Sequence, residues 1–195
     1  MKIIGLTGSV GSGKSTVGKW MEQYFPVKLV MTDEVAHKAY EPGNSCYVQL
    51  LQEYGEEILA EDRTIDRKKL AAIVFSDEKK IKRLNAMIHP WVKEYLAEDI
   101  QKEKKAEKYG WYVIESAILF QTGLDKMCEE CWFVDTKDSI RRERLKSSRG
   151  YTDEKVDAIL EQQKENDSWK KHCEVVIENN EGEQEIVEKL KVILV

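Results

Sequence analysis

The sequence lacks any apolar run long enough to cross a bilayer, and residues 1–5 lack the long apolar region of a signal peptide. Net positive charge is also missing, because the formal net charge at pH 7 is -5. A polynucleotide is held largely through its phosphates, and this chain has no overall positive field for them. We therefore expect a cytoplasmic protein that binds neither membranes nor nucleic acids. A small anionic ligand would need a local positive site.

Cysteine is scarce: the four cysteines are Cys46, Cys128, Cys131 and Cys173, and only Cys128 and Cys131 lie close together in the sequence. A zinc site needs a second pair of ligands, for which the sequence offers only His172 and Cys173. We therefore favour reduced cysteines that flank a buried strand over a metal site or a redox couple.

Short apolar runs alternate with helix-length stretches along most of the chain. This alternation is typical of a parallel sheet covered by helices on both faces. The chain length of 195 residues suits one compact α/β core that carries helical insertions. We predict five strands, at residues 2–7, 27–31, 111–116, 131–134 and 174–177.

The stretch between the second and third predicted strands is long and has apolar residues at helical spacing. We predict a helical insertion at residues 34–109, in a core formed by residues 1–33 and 110–195. Within the insertion, Pro90 disfavours helical geometry in the residue before it, so we expect one helix to end there and another to begin. Two charged helical patterns at about residues 139–167 predict a small lid.

A glycine-rich segment, Gly8–Ser15, directly follows the first predicted strand and leads into a predicted helix at residues 16–24. It fits the pattern G-x-x-x-x-G-K-S/T, in which backbone N–H groups and the helix N-terminus bind nucleotide phosphates. We expect Lys14 to neutralise the β- and γ-phosphates and Ser15 to offer its hydroxyl to Mg²⁺. A glycine-rich turn without a ligand would not need these two residues in register. The predicted ATP-binding residues are Gly8, Gly11, Ser12, Gly13, Lys14, Ser15 and Thr16.

Two other classes of phosphate-loop protein are disfavoured by sequences that the chain lacks. A GTPase needs an N-K-x-D sequence to read guanine and a D-x-x-G sequence to sense the γ-phosphate, and neither is present. A transport ATPase would normally be longer and carry a Ser-Gly-Gly signature, which is also absent. A kinase needs only the loop, an acceptor pocket, a base and a mobile arginine segment. The sequence therefore favours a kinase.

A candidate general base, Asp33, follows the second predicted strand. Ligands in open α/β sheets collect at the carboxyl ends of the strands. A carboxylate there could accept the proton of a hydroxyl that attacks the γ-phosphate in line. Asp33 also fits the N-cap of a helix that begins at Glu34, and the two roles do not exclude each other.

Two acidic residues at strand ends are candidates for ordering the waters of a bound Mg²⁺. Glu115 ends the third predicted strand, and Asp135 follows the fourth. We favour Glu115, because an acidic residue on a neighbouring strand has this role in many phosphate-loop proteins. A buried or capping carboxylate is the alternative for either residue.

Four arginines, Arg141, Arg142, Arg144 and Arg149, cluster just after the fourth predicted strand. The paired N–H donors of arginine match phosphate geometry, so such a cluster suits a lid over the transferring group. We predict that Arg144 and Arg149 contact nucleotide phosphates, with Arg144 acting in catalysis beside Lys14. A solvated helix face explains Arg142 equally well.

Distinctive segments occur along nearly the whole chain. They are Ile4–Gly8, Asp33 with Ala36-His37, Ile88–Val92, Ile118–Phe120, Arg144-Leu145, Gln163 and Val176–Asn179. Together these segments closely resemble the dephospho-CoA kinase family, whose enzymes catalyse the last step of coenzyme A synthesis. The first and third segments are the most distinctive in combination.

The resemblance implies a phosphate-loop core, a helical domain that holds the coenzyme A moiety, and a small lid. It implies transfer from ATP, with Mg²⁺, to the ribose 3′-hydroxyl of dephospho-CoA, which Asp33 activates. It places Asn179 near the adenine side of the ATP site and His89 at the junction of helical domain and core, as a substrate contact or a structural residue. Another nucleoside or nucleotide kinase, or a nucleotide switch without phosphoryl transfer, stays open. The sequence predicts no particular oligomeric state.

Several positions depart from the usual pattern of this family. Met31-Thr32-Asp33 stands where Asp-Ala-Asp is common, so one carboxylate is missing although the expected base is kept. Ala117–Gln121 replaces Pro-Leu-Leu-Phe-Glu, which removes another charge. Ser148 takes the place of the second lid arginine, with Arg149 one residue later, and Ile159 replaces a further arginine. These changes bear on the lid assignments more than on the reaction.

Overall fold

The computed structural model describes residues 1–162 and 168–194, and for Arg149 it describes the backbone alone. The chain divides into two compact units, Met1–Met31 with Glu103–Val195, and Thr32–Lys102. We call the first the phosphate-loop unit and the second the helical unit. The helical unit and the predicted insertion share residues 34–102.

The phosphate-loop unit contains a sheet of five strands. They are β1 Lys2–Thr7, β2 Val27–Met31, β3 Trp111–Glu115, β4 Glu130–Asp135 and β5 Val175–Glu178. All neighbouring strands pair in parallel, in the order β2-β3-β1-β4-β5. The predicted five-stranded parallel α/β fold is therefore confirmed. Because β1 lies between β3 and β4, the loop that follows β1 begins between the carboxyl ends of those two strands.

The described residues also form eight α-helices. They are α1 Lys14–Tyr24, α2 Thr32–Lys38, α3 Ser45–Tyr54, α4 Arg67–Val74, α5 Glu78–Ala106, α6 Asp138–Arg149, α7 Asp153–Gln162 and α8 Glu183–Ile193. None of these described helices is both long enough and apolar enough to span a membrane. The predicted lid at residues 139–167 overlaps α6 and α7, and its last residues, 163–167 with Gln163, lie outside the described part.

The core of the phosphate-loop unit forms where two helices pack on the sheet. Each helix buries apolar residues at i, i+4 spacing: Val17 and Met21 on α1, and Ile186 and Leu190 on α8. This spacing places the side chains on one helix face. They join buried side chains of β1, β3, β4 and β5, of which Trp132 is the largest. Burial of this cluster fixes α1, and therefore the loop before it, on the sheet.

The helical unit shows that the expected helix break at Pro90 was wrong. α5 continues through Pro90 as one helix of 29 residues. Proline removes one backbone hydrogen bond from a helix interior and costs about 3 kcal/mol relative to alanine. The side chains of Ile88, Val92, Leu96 and Ile100 are all buried and lie four residues apart, so they form a continuous apolar stripe. Packing of this stripe outweighs the local preference of an exposed proline.

Candidate active site

The glycine-rich loop adopts a backbone that needs glycine. Gly11 and Gly13 have φ angles of 81° and 82°, in the left-handed region that residues with a Cβ rarely adopt. α1 begins at Lys14, two residues before the predicted start, and Val17 N donates to Gly13 O at 2.9 Å. The loop therefore ends directly at a helix N-terminus, where free N–H groups and the helix dipole favour a phosphate.

The carbonyl oxygen of Ser12 accepts hydrogen bonds from three side chains. Asn179 Nδ2 lies at 2.8 Å, Thr136 Oγ1 at 2.9 Å and Arg144 Nη1 at 3.2 Å. A Cβ at Gly13 would overlap the Asn179 amide, so this close approach requires glycine. Asn179 and Arg144, both predicted at the ATP site, thus contact the backbone of the phosphate loop.

The predicted arginine cluster divides between two environments. Arg141 is buried, its Nε donates to Val10 O at 3.2 Å, and its Nη1 donates to Asp138 Oδ1 at 3.0 Å. Arg142 is only partly exposed and pairs with Asp157 on α7, at the protein surface. The side chain of Arg149 lies outside the described part, so its predicted phosphate contact stays a prediction.

Sequence reasoning missed Arg141 and Thr136 as supports of the loop. Arg141 was noticed in the cluster, but the sequence does not show which face of α6 packs on the loop. Thr136 lies directly after β4, and that position next to the carboxyl end of a strand beside β1 was the only available signal.

Lys14 and Glu115 form an ion pair at the carboxyl end of β3. Their Nζ and Oε1 atoms are 3.9 Å apart, and both side chains are largely buried. The register of the sheet pairs Glu115 with Leu6, one residue before the end of β1. The rival carboxylate, Asp135, accepts a hydrogen bond from Lys170 Nζ at 2.5 Å and another from Thr136 N at 3.0 Å. Glu115 is thus the candidate that the structure pairs with the phosphate-loop lysine.

The donor atoms at this place fit Mg²⁺ together with a nucleotide phosphate. Ser15 contributes a hydroxyl in the first turn of α1, and Glu115 contributes a carboxylate. Mg²⁺ prefers oxygen ligands and usually keeps several waters beside one or two carboxylates and substrate phosphates. It therefore needs no cluster of protein ligands, and within the described residues no group of three His, Cys, Asp or Glu side chains could hold a metal ion.

The candidate base, Asp33, and the candidate substrate contact, His89, both belong to the helical unit. Asp33 is exposed and is the second residue of α2, so the expected helix start at Glu34, with Asp33 as its N-cap, was wrong by two residues. His89 lies half-buried on α5. Burial lowers the pKa of His89, and the charge of Lys93 lowers it further. His89 is therefore better suited to being neutral than to binding a phosphate as a cation.

The four cysteines are free thiols. A hydrogen bond from the Cys128 thiol lowers the pKa of Cys131, and the same contact with burial raises the pKa of Cys128. Burial raises the pKa of Cys173 to about 12. Cys128, Cys131 and Cys173 lie at the amino ends of β4 and β5, whereas the phosphate loop follows the carboxyl end of β1. In a parallel sheet those are opposite ends of the strands, so these three thiols are not part of the phosphate site. Cys46 lies on α3 of the helical unit.

Comparisons with known proteins give one consistent family. The sequence profile of dephospho-CoA kinase matches residues 2–185. A dephospho-CoA kinase of Listeria monocytogenes is 36% identical over 182 residues, covering 93% of this chain and 90% of the relative. The dephospho-CoA kinase of Fusobacterium nucleatum is 34% identical over 190 residues, covering 97% and 95%. The crystal structure of TT1252 from Thermus thermophilus superposes with a TM-score of 0.80 at 30% identity, covering 99% and 96%.

Proposed function

The chain belongs to the dephospho-CoA kinase family, and we propose that its phosphate-loop site transfers the γ-phosphate of ATP to the ribose 3′-hydroxyl of dephospho-CoA. The products are CoA and ADP. The chain is thus an ATP-dependent phosphotransferase with an alcohol group as acceptor. The family match over residues 2–185 carries the proposal. Within that match, the phosphate loop has glycines with positive φ angles directly before Lys14 and Ser15.

The phosphate-loop unit binds the donor. Backbone N–H groups of Gly8–Thr16 bind the phosphates, and Lys14 neutralises the charge that moves toward the β-phosphate as the γ-phosphoryl group leaves. Bound Mg²⁺ would supply positive charge that offsets the charge of the phosphates. Ser15 would hold it directly, and Glu115 would order its waters. The Lys14 ammonium lies 3.9 Å from the Glu115 carboxylate. The residue proposed to neutralise the phosphates and the residue proposed to order the Mg²⁺ waters are therefore neighbours.

Asp33 is the base of the proposed reaction. Its carboxylate takes the proton of the ribose 3′-hydroxyl while the hydroxyl oxygen bonds to the γ-phosphorus. The bond between that phosphorus and the β,γ-bridging oxygen breaks, and ADP leaves with the electron pair. Asp33 is exposed in the first turn of α2, so its carboxylate is accessible to a hydroxyl group in solution. Arg144 and Arg149 belong to the proposed lid, on the nucleotide side of the reaction.

An open cavity of about 320 Å³ within the helical unit is the proposed site for the arm of the coenzyme A moiety. Its charged lining residues are three carboxylates and one ammonium: Glu41, Glu94, Glu98 and Lys38. This excess of negative charge disfavours the binding of phosphates. The carboxylates can accept hydrogen bonds from the amide N–H groups of an uncharged arm. Trp91 and Tyr95 stack there with ring centroids 5.6 Å apart and offer apolar contact.

An assay of ADP formation tests the proposal against its alternatives. ADP should form rapidly with dephospho-CoA and slowly with nucleosides or nucleoside monophosphates. A nucleoside or nucleotide kinase would show the reverse preference, and a nucleotide switch would show no acceptor dependence; the family match favours neither. We also propose a cytoplasmic location, which the free thiols support, since thiols persist in reducing compartments.

A further inference from the structure

The carbonyl of Ser12 in the phosphate loop accepts hydrogen bonds from three side chains. Its three donors come from three parts of the phosphate-loop unit: Thr136 after β4, Arg144 on α6 and Asn179 after β5. Most carbonyl oxygens have two acceptor positions. A third donor at one loop carbonyl shows that several elements converge on a single peptide group.

Hydrogen bonds to the carbonyl of a peptide group also orient its N–H group. The Ser12 carbonyl and the Gly13 N–H belong to the same planar trans peptide, so they point in opposite directions. Donors that hold the carbonyl against β4, β5 and α6 therefore turn the Gly13 N–H away from those elements. In a loop of this sequence pattern, the backbone N–H groups are the ligands of the phosphates.

Asn179 is the most deeply buried of the three donors. Its side chain is buried, and only its Nδ2 group can face the Ser12 carbonyl, because both the carbonyl and Oδ1 are acceptors. Its backbone N donates to Asp135 O at 2.8 Å, which extends the pairing of β4 and β5 by one residue. Its backbone O accepts from Arg144 Nη2 at 3.1 Å. These contacts fix the backbone of Asn179 before any ligand binds, and the side-chain Nδ2 reaches the Ser12 carbonyl from that fixed position.

We propose that Asn179 is a positioning residue for the phosphates of ATP, which acts by holding the Ser12–Gly13 peptide and not by contact with adenine. The role is additional to the proposed function and does not depend on which acceptor the enzyme uses. The effect of Asn179 on a ligand should then depend on the phosphates of the ligand and not on its base.

Two ligands that share phosphates but differ in the base test this proposal. The affinities of ATP and of inorganic tripolyphosphate, each with Mg²⁺, are measured by calorimetry for the wild type and for Asn179→Ala. Both affinities should fall about tenfold, or about 1.4 kcal/mol, which lies within the cost of leaving a buried group unsatisfied. Arg142→Ala, which removes a partly exposed side chain of α6 that pairs with Asp157, should leave both affinities within about twofold.

A loss for ATP without a loss for tripolyphosphate would assign Asn179 to adenine and overturn the proposal. Unchanged affinities for both ligands would overturn it too.

If Asn179→Ala does not fold, Thr136→Val and Thr136→Ser form a second pair, because serine keeps the hydroxyl and valine removes it. The hydroxyl has one proton and three carbonyl oxygens within reach, those of Ser12, Asp135 and Asn179, so we expect only about a threefold loss of both affinities in the valine variant. Equal affinities in the two variants would contradict the proposal.

Discussion

The phosphate-loop unit and the helical unit present their candidate residues in different ways. In the phosphate-loop unit, Lys14, Glu115 and Asn179 are largely buried and held by ion pairs or hydrogen bonds. In the helical unit, Asp33 is exposed and the cavity beside Trp91 is open. We therefore propose that the ATP side is preformed, whereas the residues proposed for the acceptor are open to solvent. Preorganised groups are the ones that stabilise developing charge most effectively.

This contrast assigns different kinetic signatures to the two units. Substitutions in the phosphate-loop unit should change ATP binding or the transfer step whatever the acceptor is. Substitutions in the helical unit should spare ATP affinity and change only the use of dephospho-CoA.

The largest effect is expected from Lys14→Ala, which removes the cation beside the transferring phosphoryl group. Single-turnover transfer should fall by roughly 10³ to 10⁵, the range for a cation that stabilises a phosphoryl transition state. Lys19→Ala, which changes an exposed lysine of the same helix, is the matched control and should keep the wild-type rate. A folded Lys14→Ala enzyme with near-normal turnover would contradict the site.

Asp33→Asn should separate chemistry from nucleotide binding. The rate of transfer should fall by roughly 10² to 10⁴, the usual contribution of a positioned base, while ATP affinity measured by calorimetry stays unchanged. Asparagine is nearly isosteric but cannot take a proton from the ribose hydroxyl. Glu34→Gln makes the same charge change in the same helical turn and should leave the rate within about twofold. If Asp33→Asn also leaves the rate of transfer within about twofold of the wild type, the base lies elsewhere.

Trp91→Ala tests the cavity of the helical unit. We expect the KM for dephospho-CoA to rise about tenfold, or about 1.4 kcal/mol, because an aromatic contact to the arm is lost. The KM for ATP should not change. Phe75→Ala, which removes an exposed aromatic ring at the end of α4, should change neither value. Parallel changes in both KM values would show that the cavity does not belong to the acceptor side alone.

Substitutions of Arg144 and Arg142 on α6 compare a contact with the phosphate loop with an ion pair at the surface. Arg144→Ala should raise the KM for ATP by roughly three- to tenfold, because it loses charge-assisted hydrogen bonds to the Ser12 and Asn179 carbonyls. Arg142→Ala loses only an exposed pair with Asp157, and such pairs contribute little. Steady-state kinetics at varied ATP measures both. Equal, small effects would show that the Arg144 contacts contribute no more to ATP binding than a surface ion pair does.

The smallest effect concerns pH and the helical unit. The pKa of His89 is lowered from its ordinary value of 6.5, so the folded state binds the proton less readily than the unfolded state. The free energy of unfolding should therefore fall as the pH drops from about 6.5 through the folded-state pKa. His89→Gln should flatten that decline in urea titrations. An unchanged slope in His89→Gln would assign the decline to other groups.

The sheet could be predicted from the sequence because its strands are short, buried and rich in Val and Ile. Predicted residues 111–116 and 131–134 became Trp111–Glu115 and Glu130–Asp135, shifts of one residue. The phosphate loop was equally accessible, since its pattern is local and its neighbours along the chain give its context.

The remaining features depend on packing that one sequence does not display. The continuous α5 results from a buried stripe that outweighs Pro90. The support of the loop by Arg141 and Thr136 depends on backbone carbonyls, which leave no trace in side-chain patterns. For the same reason the sequence did not show that Asn179 contacts the loop backbone.

The most direct test of the proposed reaction follows the phosphate itself. Wild-type protein is mixed with ATP labelled in the γ-phosphate, Mg²⁺ and dephospho-CoA, and the products are separated and identified by mass spectrometry. We predict that the label appears in CoA, on the ribose 3′-oxygen, in an amount equal to the ADP formed. Label released as inorganic phosphate, or ADP formed equally fast without dephospho-CoA, would contradict the proposed function.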